Sequence, residues 1–133
     1  MDKKYKLPEY QVRFSNWHSE KLSKACLTFN LDFIEIRKID SYEIVALIEY
    51  KQKNEELTYI EKIELPKIAS KLNVPAFVVK ADFDENSEMT GTADIYSIYT
   101  PSGKEYTKTG ISQDLLIRFY ERDLIGIYNE EKN

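Results

Sequence analysis

Cysteine and histidine are nearly missing from this chain: 133 residues hold one of each, Cys26 and His18. A lone thiol closes no internal disulfide, which fits a protein kept in a reducing cytoplasm. One cysteine and one histidine also fall short of a zinc centre. Long apolar runs are missing as well. No stretch approaches the roughly 18–20 consecutive apolar residues of a membrane span. The opening MDKKYKLPEY lacks the apolar centre of a signal peptide. The expectation is a cytoplasmic protein with no membrane contact. An excess of positive charge is the third absence: 19 Lys and Arg stand against 23 Asp and Glu, for a net charge of −4. A protein that coats nucleic acid non-specifically is normally basic. An enzyme acting on nucleic acid needs only a local basic strip, and lysines do gather at Lys3, Lys4 and Lys6 and between Lys51 and Lys71.

What is present suits a globular domain, with 42% hydrophobic and 32% charged residues. The length predicts one domain over 1–133, long enough to bury a core without disulfides or metals as staples. Residues 1–14, mixed in character and holding Pro8, read as an N-terminal arm. Ser15 or Asn16 can cap a helix over 17–27 with Leu22, Ala25 and Cys26 on its apolar stripe. Strands follow at 28–37 and 43–51, joined through Lys38-Ile39-Asp40-Ser41, a link short enough for an antiparallel hairpin.

Leu57, Ile60, Glu61, Glu64, Leu65, Ile68 and Leu72 recur at helical spacing, with Pro66 expected to kink the helix or restart it. Asn73-Val74-Pro75 ends it, and residues 76–80 form a short, fully apolar strand. Beyond an acidic loop containing Gly91 come a strand at 93–100, a turn at Pro101-Ser102-Gly103 and a helix at 114–123. That helix is expected to bury Leu115, Leu116, Phe119 and Tyr120, and residues 125–128 to add an edge strand. The order predicts an α/β or α+β fold with a mixed central sheet flanked by helices.

Two acids break the rule that strands avoid carboxylates. Asp32 lies between Leu31 and Phe33, and Glu49 follows the run Ile44-Val45-Ala46-Leu47-Ile48. Side chains alternate along a strand, so Glu49 and Lys51 share a face and continue the row of Val45 and Leu47. Charges at the end of a buried face are costly unless paired or metal-bound. Adjacent strands would bring both carboxylates to one sheet edge. Two hard oxygen donors suit Mg²⁺, which keeps waters and takes phosphate oxygens.

The strand pair Leu31-Asp32-Phe33-Ile34 and Ile48-Glu49-Tyr50-Lys51 resembles the PD-(D/E)XK motif of the restriction-endonuclease-like nuclease superfamily. That superfamily's core runs helix, three strands, helix, strand, with the acid on the second strand and the acid-X-lysine on the third. Residues 15–80 would supply this core, and 81–133 a C-terminal strand and helix extension. The resemblance implies a nuclease hydrolysing DNA phosphodiester bonds with Mg²⁺ or Mn²⁺, branched and single-stranded DNA among its substrates, and a homodimer. Asp32 and Glu49 would hold the metal and Lys51 would serve the attacking water. Glu20, on the first helix, would be a further metal ligand, and Gln52 would reach the scissile bond. The sequence departs from the motif at Asn30-Leu31, where a proline often precedes the aspartate.

Blander readings stand beside these. Glu-X-Lys at a strand end can be a weak surface ion pair, and Asp32 can cap a turn. His18 reads as a half-exposed residue opening the first helix, and Cys26 as an inert buried thiol. Lys62, Lys67 and Lys71 read as a solvated face, with Lys67 and Lys71 phosphate contacts only if the chain is a nuclease. Tyr96, Tyr99, Tyr106 and Tyr120 suit packing better than base stacking. Two alternatives remain to the nuclease: a catalytically inactive nucleic-acid- or protein-binding module of the same fold, and an unrelated α+β domain.

Overall fold

The run Ile44-Val45-Ala46-Leu47-Ile48 offers no polar side to water, so it needs cover on both faces. In the computed structural model, which describes residues 9–23 and 31–132, this run lies within β2 (Tyr42–Lys51), buried from Val45 through Glu49. β2 pairs antiparallel with β1 (Phe33–Lys38) and parallel with β3 (Ala76–Phe83). β4 (Met89–Tyr99) and β5 (Thr107–Ile111) continue the sheet antiparallel, in the order β1-β2-β3-β4-β5. A parallel joint requires a crossover, and α2 (Tyr59–Leu72) supplies it. The fold is α+β, a mixed five-stranded sheet flanked by helices. Among the described residues no helix is long and apolar enough to cross a membrane.

Local chemistry explains where α2 begins and ends. The Thr58 hydroxyl accepts the Glu61 N–H, and the Glu61 carboxylate accepts the Thr58 N–H in return. This reciprocal cap is worth about 1 kcal/mol. Asn73, left-handed at φ 56, closes the other end through the Ala69 and Ser70 carbonyls. The helix does not restart at Pro66 but runs through it from Tyr59 to Leu72. Proline removes one N–H from the ladder, while Leu65 and Ala69, both buried, hold the helix on the sheet across that gap.

The two faces of the sheet have different covers. Glu49 and Lys51 lie toward α2, through Glu61. Phe77 is paired with Ile48, whose side chain alternates with that of Glu49. It faces the other way and meets Phe119 edge-on at 5.3 Å. Between Glu35 and Ile36 the register advances by two residues on β2, which leaves Val45 as a bulge. The row from Leu47 to Lys51 therefore does not continue straight back through Val45, and Glu43 bonds to the Tyr128 hydroxyl of the C-terminal helix.

Several expectations need correction. α1 (Glu9–Lys21) starts well before residue 17 and takes in part of the expected arm. Ser15 and Asn16 lie inside it rather than capping it, and a Glu9–Arg13 ion pair at 2.8 Å supports its first turns. His18 falls in its last turn, and the helix buries no residue. Ala25, Cys26 and residues 28–30 of the expected first strand lie outside the described residues.

The expected edge strand at 125–128 is helical. α3 (Gln113–Arg118) passes through a π-helical turn, Phe119–Asp123, into α4 (Leu124–Lys132). The wider turn returns Leu124, Ile127 and Tyr128 to the buried face already held by Leu116 and Phe119. Leu115 is exposed and Tyr120 half-buried, against the expectation that both are buried. β5 was not expected: it is mostly exposed and polar, Thr-Lys-Thr-Gly-Ile, and shows no alternation to read. Gly91 lies within β4 rather than in the acidic loop.

Candidate functional site

The central question is whether the strand acids meet, and the sheet register decides it. Phe33 pairs with Ile48, so one step further along the hairpin brings Asp32 to the level of Glu49. The Asp32 carboxylate accepts the Tyr50 N–H at 3.0 Å, which fixes it against the end of β2. Asp32 itself is exposed. Lys51, two residues past Glu49 on the same face, holds its ammonium 3.9 Å from the Glu49 carboxylate. Asp32, Glu49 and Lys51 are therefore gathered at one end of β2.

Glu61 joins them from α2. Its two oxygens lie 2.8 and 3.1 Å from the Lys51 ammonium. Glu61 occupies the third position of α2, where the reciprocal cap with Thr58 orients it. The same residue thus closes the helix and faces the lysine. The Thr58-x-x-Glu61 spacing, the signature of this cap, was the available sequence signal for Glu61. Helical periodicity alone gave it no role.

Glu49 is the most constrained member. It is 2% exposed, and its Oε2 is buried without a hydrogen-bond partner. Burial, then the Glu61 carboxyl and the charge of Asp32, push its pKa up to about 9 against the pull of Lys51. These influences favour the protonated form of Glu49, with the Glu61 carboxyl as its neighbour. Burial acts upward on Glu61 too, but hydrogen bonds from Glu49, Lys51 and Thr58 outweigh it and hold Glu61 ionised well below the usual carboxylate range. The Glu61 hydrogen bond raises the Lys51 pKa, opposed by burial. The result is an acid pair beside a closed Lys51–Glu61 ion pair.

The other expected site residues are less engaged. Glu20 stands exposed near the end of α1, on an element that buries no residue. Gln52 is exposed just beyond β2, where its backbone N–H donates to the Glu55 carboxylate at 2.9 Å. Lys67 and Lys71 are exposed on α2. Tyr96, Tyr99, Tyr106 and Tyr120 are all half-buried, in keeping with packing.

Among the described residues, no group of three or more His, Cys, Asp or Glu side chains is arranged to hold a metal ion. Mg²⁺ asks for less, since one or two carboxylates suffice when water and substrate oxygens complete its shell. Asp32 and Glu49 offer hard oxygen donors of this kind. The unpartnered Oε2 of Glu49 is an atom that a cation would satisfy. The donor set fits such an ion only where the ion displaces the proton on Glu49. Comparison with protein-family models, curated proteins and solved structures finds no match for this chain.

Proposed function

We propose that this chain is a metal-dependent nuclease of the restriction-endonuclease-like type that hydrolyses DNA phosphodiester bonds. The reading is carried by one observation: an acid just ahead of β1, bonded to the Tyr50 N–H, and an acid-X-lysine at the end of β2 lie at the same end of the hairpin, followed by a helix and a strand parallel to β2. Asp32 and Glu49 would hold Mg²⁺ or Mn²⁺. When bound, the ion would neutralise charge on the phosphate and acidify a water. The Lys51 ammonium, if released from Glu61, would orient an attacking water or steady the charge that grows on the phosphate oxygens. Asp32 keeps its place through the Tyr50 N–H. A homodimer in a reducing cytoplasm belongs to the same proposal.

A second reading, an inactive binding module of the same fold, is favoured by the Lys51–Glu61 pair, which engages both oxygens of Glu61. Cleavage separates the two. Incubation of plasmid, branched and single-stranded DNA with Mg²⁺ or Mn²⁺ is expected to give products that are lost in EDTA and in Asp32→Ala and Lys51→Ala. Retained DNA affinity with no cleavage under any divalent ion supports the module. Absence of both binding and cleavage of DNA refutes the nuclease and the nucleic-acid-binding module alike, and leaves a protein-binding module or an unrelated α+β domain.

A further inference from the structure

Lys80 is an anomaly of the core. It belongs to β3, where every residue from Ala76 to Ala81 is buried, and its own side chain is 10% exposed. An ammonium on such a strand is costly, and an apolar residue of similar size would commonly stabilise the fold as well or better. Its partner is poorly matched to that burial. The Lys80 Nζ donates to Glu56 at 2.9 Å, and the Glu56 side chain is 77% exposed on the linker between β2 and α2. The ammonium also stands over the Tyr96 ring, 6.0 Å from its centroid. A buried cation is thus neutralised by a carboxylate that solvent can take away.

The setting of this pair is specific. In the parallel β2–β3 joint Lys80 is in register with Lys51, so two ammonium side chains stand side by side on the face that carries Glu49. On the other flank Lys80 is in register with Asp94. Asp94 is already engaged by the Lys53 ammonium at 2.9 Å and by the Gly110 N–H at 2.8 Å. Lys53 and Gly110 act on Asp94 more strongly than Lys80 does, which leaves Glu56 as the hydrogen-bonded partner of Lys80.

From this arrangement, and resting on the nuclease reading above, we infer that Lys80 is a phosphate-binding residue of the substrate site, and that Glu56 is a stand-in anion which a backbone phosphate of the DNA strand displaces. Lys80 needs no new conformation to act in this way. Only the exposed partner has to leave, and a single hydrogen bond from Lys80 holds it. Glu56 then acts as a brake on binding, and Lys80 as one of the contacts that set its salt dependence.

The test is equilibrium binding of labelled single-stranded and duplex oligonucleotides to the full chain, with Ca²⁺ replacing Mg²⁺, across a salt titration. Glu56→Gln is expected to tighten binding by about fivefold, the effect of removing one exposed competing charge. Lys80→Gln is expected to weaken it and to lower the slope of log affinity against log salt by about 0.9 for duplex, while Lys80→Arg keeps the slope. Circular dichroism and melting monitor the fold. Should Lys80→Gln fail to fold, Glu56→Gln still decides, because that residue is exposed. A purely structural pair gives a lower Tm in Glu56→Gln with unchanged DNA affinity, and that result overturns the inference. Wild-type protein that binds and cleaves DNA while both variants bind as it does sinks this inference alone. Wild-type protein that neither binds nor cleaves DNA sinks it together with the nuclease reading.

Discussion

Replacing Glu49 by glutamine tests the electrostatics of the site without reference to catalysis. In the folded chain Glu49 keeps its proton up to about pH 9, chiefly through burial. In the unfolded chain it titrates near 4.5, the ordinary carboxylate value. The folded pKa lies above the unfolded one, so the stabilising contribution is complete below the lower value. It is then lost progressively as pH climbs toward the upper one. Within that window the ceiling on the slope is about 1.4 kcal/mol per pH unit. Between about pH 6 and pH 8 the loss therefore reaches at most about 2.7 kcal/mol, or roughly 10 °C in Tm for a chain of this size.

Glutamine copies the shape of the neutral acid, and its amide can donate to Glu61 as the carboxyl proton does, yet it does not titrate. Thermal melts in EDTA, followed by circular dichroism across this range, are the assay. Wild type and Glu49→Gln are expected to melt close together at the acid end. Their curves should diverge as pH rises, with wild type falling away and the variant staying nearly level. Parallel profiles, or a wild type that gains stability toward pH 8, would refute the account of Glu49 as a buried neutral acid.

Three further outcomes follow from the packing and caps. Thr58→Ala removes the hydroxyl that accepts the Glu61 N–H and is expected to cost about 1 kcal/mol in urea unfolding. Phe119→Ala empties a buried site between Phe77 and Tyr120, and a loss of about 3–5 kcal/mol in the same measurement is expected. Asn73→Ala places a Cβ-bearing residue with no polar side chain at φ 56, and a loss of about 1 kcal/mol is expected.

Strong, two-sided patterns carried most of the fold. The apolar run into Glu49 specified β2 to within one residue, and the turn at Lys38-Ile39-Asp40-Ser41 specified the hairpin, where the Ile39 N–H donates to the Ser41 carbonyl at 3.0 Å. Weak or exposed patterns misled. α1 buries nothing, so periodicity had no apolar face to mark its start. β5 is held by pairing with β4 rather than by an alternating face. The C-terminal helix crosses a π-helical turn whose extra residue breaks the 3.6-residue period, and residues beyond it therefore looked like a separate strand. At the site, alternation correctly placed Glu49 and Lys51 together. Glu61 and Glu56 escaped notice because their partners lie elsewhere in the chain, and only the folded crossover brings them to Lys51 and Lys80.

Glu61 performs two tasks that can be separated, and the separation bears on Glu49. Glutamine at this position still accepts the Thr58 N–H, so Glu61→Gln preserves the cap and removes only the charge facing Lys51. Alanine removes both. In a half-buried setting the charged hydrogen bond is worth about 1.5–3 kcal/mol. Glu61→Gln is therefore expected to lose about that much at neutral pH and Glu61→Ala about 1 kcal/mol more. The charge on Glu61 is held low, so its contribution is present above the ordinary carboxylate range and fades as pH falls below it. The difference between wild type and Glu61→Gln should accordingly narrow in acid. Removing that charge also releases Lys51 toward Glu49 and deletes one of the negative neighbours that keep Glu49 protonated. The alkaline loss of stability expected of wild type should shrink in Glu61→Gln. If Glu61→Gln instead leaves that slope untouched while still lowering stability, then burial alone holds the Glu49 proton, and the two carboxyls do not act as a pair.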